Sequence, residues 1–331
     1  MQARDHANSP EVENAWRFFH LNWFVVGSTA AALALSVALS SFTIAIPGLL
    51  VAIGYVGVYG FFAHANARSP KRRDPQVMFV LGCMAQVVCT TAMMTPLTYV
   101  AAAINVPLQD ANLLALDRAL GLDWASYVHW VDERPMLAMW FGSGYTMIAW
   151  PISAIPVVLA AKRNYQRIEE FTFAFAVALI MTTIISALVP AIGVYQQIGL
   201  DPATLKNVEP GGYLQQLHDL VPTREGSLRQ LDLLGLAGIV TFPSFHAASA
   251  VLFTWALWPA RWIRPIALLA NGAMLAATPV VGGHYFVDVF AGVAVAVLAI
   301  VAARRVGQFI ARRQSVAALP APIAPILVPA E

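Results

Sequence analysis

Apolar residues in this chain come in long blocks rather than in alternation with polar ones. The blocks lie near 18–42, 45–65, 77–105, 136–160, 171–194, 242–259, 264–283 and 286–303. Most reach the roughly 20 residues that a helix needs to cross a bilayer, and the sixth and eighth are the shortest. The pattern predicts an all-α integral membrane protein with about eight transmembrane helices. Two polar intervals are long, near 106–135 and 195–241. The first, "VPLQDANLLALDRALGLDWASYVHWVDERP", carries apolar residues at helical spacing among Asp and Arg, which predicts amphipathic helix at the membrane surface. The second is polar and Gly-rich around "EPGGY", as in a functional lid or a connector.

Composition agrees with that reading. Hydrophobic residues make up 59% of the 331 and charged residues 11%, against about 45–50% apolar in soluble domains. The formal net charge of +2 carries no sign of a nucleic-acid surface, and no nucleic-acid partner is expected. The basic residues report orientation instead, because Lys and Arg collect on the cytoplasmic side. With both termini inside, only Arg118, Arg134, Lys206, Arg224 and Arg229 fall on outer intervals, and the rest of the 20 lie on inner ones. The expected setting is a multi-pass protein of a bacterial inner membrane. Its organisation reads as a cytoplasmic segment at 1–17, two accessory helices in 18–65, a six-helix core in 66–303, and a basic, then Pro/Ala-rich disordered tail at 304–331. Cys83 and Cys89 sit on one predicted helix and are not expected to pair.

Two stretches carry candidate chemistry: "TFPSFHAASA" (241–250) and "VGGHYFVDVFAG" (281–292). The sixth helix enters from outside and the seventh returns there, so His246 and His284 reach the same outer depth. Asp288 follows His284 by one helical turn and shares its face. Ionisable residues inside spanning segments are expensive and mark functional sites. The trio suits attack by an imidazole on phosphorus. Asp288 would fix the His284 tautomer, and His246 would protonate the departing oxygen and later deprotonate the acceptor. Pro243 and Ser244 open a helix whose first N–H groups attract an anion. Tyr285 reads as packing or an interfacial aromatic.

At these residues a family resemblance becomes specific. "FPSFHAASA" resembles the second motif, Pro-Ser-Gly-His, of the type 2 phosphatidic acid phosphatase superfamily. "GGHYFVDVFAG" resembles its third, in which a His precedes an Asp by four. The His-Tyr-Phe-Val-Asp form, and the Phe before the first His, are closer to the inositol phosphorylceramide synthase branch. The resemblance covers roughly 77–303 and implies His284 as nucleophile, Asp288 as its orienter and His246 as acid/base. It implies no cofactor and no metal, a membrane lipid phosphate as substrate, and water or an alcohol as acceptor. The active site would face outward.

The chain departs from the family at its phosphate clamp. The first motif, Lys-x6-Arg-Pro, is missing: seven residues after Lys71, Lys162 and Lys206 come Met78, Glu169 and Tyr213. Thr278 stands where the family places an Arg before the third-motif His. The substrate-binding candidates are therefore Ser244 and the outer arginines Arg118, Arg134, Arg224 and Arg229, whose guanidinium forks suit phosphate. Two further readings use the same cluster: a transporter with intramembrane charges, or a metal-dependent membrane enzyme with a His/His/Asp site.

Overall fold

The computed structural model describes residues 10–68 and 74–317. The elements are α1 (Pro10–Leu39), β1 (Thr43–Ile44), α2 (Ile46–Arg68), α3 (Pro75–Ala103), α4 (Asp110–Ala119), α5 (Trp124–Asp132) and α6 (Pro135–Thr146). After a 3-10 turn at Met147–Ala149 come α7 (Trp150–Ala161), α8 (Tyr165–Leu188), α9 (Val194–Ile198) and a second 3-10 turn at Pro202–Thr204. The chain continues through α10 (Gly211–Glu225), β2 (Gln230–Leu231), α11 (Phe245–Leu257), α12 (Arg264–Val281) and α13 (Phe286–Ala317).

Among the described residues, seven helices are long and apolar enough to cross a membrane, with α6, its 3-10 turn and α7 forming one crossing, Pro135–Ala161. The remaining apolar segment, the sixth in chain order, is α11, only 13 residues long. This is an all-α integral membrane protein. Helix starts follow local chemistry. Asp74 caps α3 by accepting the Gln76 N–H at 2.8 Å, with Pro75 at the first helical position. Asn164 caps α8 through the Arg167 N–H at 3.1 Å.

Two ends differ from the hydropathy reading. Helix α1 begins at Pro10 rather than near 18, with Glu11 and Glu13 in its first turn, where acids suit the helix dipole. Helix α13 continues to Ala317 rather than stopping near 303. Arginine ends an apolar block but is a good helix former, so the block and the helix need not end together. The Pro/Ala-rich stretch expected to be disordered falls on 318–331, outside the described residues, as do 1–9 and 69–73.

One buried core joins α3, α7, α8, α11, α12 and α13, together with Val12 and Ala15 at the start of α1. Helix α1 also docks on it through Trp16 and Phe19, which pack on Phe79, and through polar contacts, which bind helices together where lipid supplies no hydrophobic drive. The Asn22 amide donates to Glu169 Oε2 at 2.8 Å and to the Glu169 carbonyl at 3.1 Å, and Gln86 Nε2 donates to the Phe19 carbonyl at 3.0 Å.

Helices α4, α5, α9 and α10 form a cap over the adjoining ends of α6, α12 and α13. The first long interval is two short helices, with Gly121 turning between them at φ 73. Their apolar face, including Leu113, Trp124, Val128 and Val131, is spent on protein: it packs with Tyr195, Tyr213, Val280 and Tyr285 in a second buried core. Strand β1, between α1 and α2, pairs in parallel with β2, tying the accessory hairpin to the cap at Thr43–Gln230 and Ile44–Leu231.

Candidate active site

Three backbone elements meet beneath the cap: the start of α11, the loop Gly282–Tyr285 and the first turns of α13. Ser244 is the N-cap of α11, its hydroxyl accepting the Ala247 N–H at 3.3 Å. Its own N–H donates to the Asp288 carbonyl at 3.0 Å, which fixes α11 to α13. The helices touch there: a side chain on Gly292 would strike the Ser244 carbonyl, so glycine in "VFAG" is a packing requirement. Gly283 adopts φ 66, a left-handed conformation that favours glycine and turns the chain so that His284 points inward.

His284 is 2% exposed and Asp288 fully buried. Asp288 Oδ2 stands 3.3 Å from His284 Nδ1 and accepts the Tyr285 N–H at 2.9 Å. With the carboxylate ionised, Nδ1 carries the proton and Nε2 keeps a free lone pair. That Nε2 lies 3.5 Å from the Ser244 hydroxyl. His246, two residues into α11, meets Tyr145, whose hydroxyl and the His284 ring both border Gly282. The His246 ring stacks on Tyr145 with centroids 3.9 Å apart and planes 12° from parallel. The structure thus brings Ser244, His246, His284 and Asp288 together.

The four arginines are elsewhere, on the cap. Arg134 is exposed, donates to the Trp130 carbonyl at 2.6 Å and lies over the Trp130 ring. Arg229 donates to the carbonyls of Thr223 and Leu228, both at 2.8 Å, and covers Phe42. Arg224 donates to the Val106 carbonyl at 2.9 Å. Arg118 is exposed and lines a groove with Asp123 and His129. Among the described residues no Lys or Arg hydrogen-bonds or ion-pairs with Ser244, His246, His284 or Asp288. Thr278 turns its hydroxyl back to the Met274 carbonyl at 2.8 Å.

Behind the His284 loop lies a set of cap residues that the motifs did not reveal. Asp117 is fully buried and accepts the N–H groups of Phe286 and Val287, both at 2.9 Å, capping α13 from another helix. Asp110 accepts the N–H groups of Ile192 and Gly193 and the Tyr285 hydroxyl at 2.9 Å. Tyr285 is therefore a buried hydrogen-bonding strut and not an interfacial aromatic. Trp124 Nε1 donates to the His284 carbonyl at 3.1 Å, and the Val194 N–H donates to the Gly283 carbonyl at 2.9 Å. One signal was present in the sequence. Asp110 and Asp117 are two helical turns apart, on the apolar side of an amphipathic stretch, where a carboxylate needs a partner.

A family model described as "PAP2 superfamily" matches residues 111–302, more than half of the chain. The chain belongs to the PAP2 superfamily. Membership gives it the fold of the phosphatase-type lipid phosphoesterases. The PAP2 match takes in nearly all of the cap and both His-bearing stretches, and begins after α3. No curated protein matches the chain significantly, and no solved structure does.

Proposed function

We propose that the protein transfers a phosphoryl group from a lipid phosphate ester through a covalent intermediate on His284. The observation that carries this reading is the setting of one buried imidazole, with Nδ1 against Asp288 and Nε2 toward the Ser244 hydroxyl at the open end of α11. Nε2 attacks phosphorus, forming a P–N bond as the P–O bond to the leaving alkoxide breaks. Protonated His246 gives that oxygen its proton, and Asp288 stabilises the imidazolium side of the adduct. Water or an alcohol then attacks phosphorus, losing its proton to His246, and the P–N bond breaks to restore His284.

Charge favours transfer between alcohols, of the inositol phosphorylceramide synthase type, over monoester hydrolysis. The nearby donors are neutral: the Ser244 hydroxyl and the first N–H groups of α11. Such donors hold a singly charged phosphodiester more readily than a dianionic monoester, which calls for cationic partners. A cavity of about 310 Å³ adjoins the loop; Val131, Ala138, Phe141 and Val281 line it together with Asn207 and Glu209, a mixed apolar and polar approach that suits an amphiphile. The excess of basic residues on the opposite intervals supports a cap that faces outward.

The test is rapid quench in alkaline SDS of purified protein in vesicles carrying 32P-labelled phosphatidylinositol or phosphatidic acid. Wild type accumulates acid-labile phosphohistidine. His284→Ala forms none, and both His284→Ala and His246→Ala turn over at least about 100-fold more slowly. Near-wild-type turnover in either folded variant refutes the mechanism.

A further inference from the structure

Tyr145 is the one aromatic side chain stacked on a histidine of the site among the described residues. It sits on α6, directly before the 3-10 turn at Met147–Ala149 that breaks the Pro135–Ala161 crossing, a kind of interruption often found at functional positions. The residue is 8% exposed, and no hydrogen bond within the protein engages its hydroxyl. The ring is packed away while the phenol oxygen is not sealed off, so the hydroxyl is available to a group that enters the site.

The surroundings say where that hydroxyl points. A Cβ placed on Gly282 would fall 2.6 Å from His284 Cδ2 and 2.8 Å from Tyr145 Oη. The phenol oxygen and the His284 ring thus flank one small gap. On its other side the phenol meets Gly212, where a Cβ would lie 2.7 Å from Oη. Two positions without side chains, one on the His284 loop and one at the start of α10, make room for this hydroxyl.

Resting on the reading of the site given above, we infer that Tyr145 is a substrate-contacting and positioning residue. Its phenol donates to a non-bridging phosphoryl oxygen, and its ring holds His246 in line with the leaving group. A neutral O–H thereby serves in the place where no Lys or Arg reaches the site. The stack also restricts His246 to one ring plane, so acid and nucleophile approach the phosphorus from fixed directions.

The two roles separate in two substitutions of the full-length protein. Tyr145→Phe keeps the stack and removes the donor. Tyr145→Leu removes both. Orthovanadate serves as the phosphoryl probe, and turnover is read in phosphatidylcholine vesicles doped with phosphatidylinositol or phosphatidic acid. A lost hydrogen bond to a charged group is worth about tenfold or more. Tyr145→Phe should therefore weaken vanadate inhibition and raise KM about tenfold, with kcat and the pH profile little changed. Tyr145→Leu should in addition lower kcat about tenfold and move the limb of the pH–rate profile that is missing in His246→Ala. If Tyr145→Phe binds vanadate as wild type does, the phosphoryl contact is wrong, whether or not Tyr145→Leu folds. If folded Tyr145→Leu keeps the wild-type pH limb, the positioning role is wrong. Both failures are read beside His246→Ala and His284→Ala: inactive histidine variants with unaffected Tyr145 variants overturn this inference alone. Active histidine variants overturn the proposed function beneath it.

Discussion

Replacing Asp110 with Ala tests whether the cap holds the His284 loop in place. Asp110 is 7% exposed and serves the N–H groups of Ile192 and Gly193 and the hydroxyl of fully buried Tyr285. Removing the carboxylate leaves two buried donors, the Gly193 N–H and the Tyr285 hydroxyl, without an acceptor. At about 1–3 kcal/mol for each orphaned group, the expected loss is about 2–6 kcal/mol. Tyr285→Phe removes one donor and leaves the carboxylate its backbone partners, so it should cost about 1.5–2 kcal/mol. In the double variant the phenol is no longer stranded, and the two losses should fall short of additivity by about 1–2 kcal/mol. Equilibrium unfolding in detergent micelles measures all three. Turnover measured in parallel should drop about 100-fold in Asp110→Ala, because Tyr285 is bonded directly to His284 and small misplacements of reacting groups are expensive. An Asp110→Ala protein within about 1 kcal/mol of wild type, or strict additivity, would refute the strut.

Asp288→Asn should keep fold and lipid affinity yet slow phosphohistidine formation at least about 10^3-fold, since an amide can hold the ring in the wrong tautomer; lost binding with a fast single turnover would reassign the carboxylate to substrate. Ser244→Ala should cost about 1 kcal/mol as a lost N-cap, seen in unfolding, and should also lower turnover. Burial of Asp132 would raise its pKa, but the N–H groups of Lys206, Asn207 and Val208 outweigh it and hold the carboxyl below its ordinary value. A depressed folded value means stabilisation that is full above the unfolded pKa, about 4, and lost as pH falls through the folded one; the wild-type advantage over Asp132→Asn should therefore be flat at neutral pH and shrink in acid. Cysteine placed at exposed Ser227 should react with an impermeant thiol reagent in intact cells and cysteine at exposed Lys162 should not; the reverse pattern would turn the cap to the cytoplasm.

Block length alone determined much of this protein. A bilayer demands about 20 apolar residues in each crossing and internally satisfied backbone bonds, so composition and spacing dictate an all-α membrane protein without reference to any contact. The His284–Asp288 pairing was also legible from the spacing of four, but not its geometry: His284 lies in the loop before α13 rather than on the helix, and Asp288 in the first turn reaches back to it. The meeting of His246 with that pair followed from counting crossings. What the sequence left open lies in contacts between distant residues. Trp124 reaches His284 across 160 positions and Tyr285 reaches Asp110 across 175, and no periodicity encodes either pairing. Amphipathic spacing in α4 and α5 showed that one face would be buried, but not that protein rather than lipid would cover it. The arginines of the two long polar intervals were suitable in charge, yet backbone carbonyls and the rings of Trp130 and Phe42 occupy three of them. Tyr145 was indistinguishable from any membrane aromatic until α6 and α11 packed. Local chemistry decides which helices form; only their packing decides which side chains share a few ångströms of space.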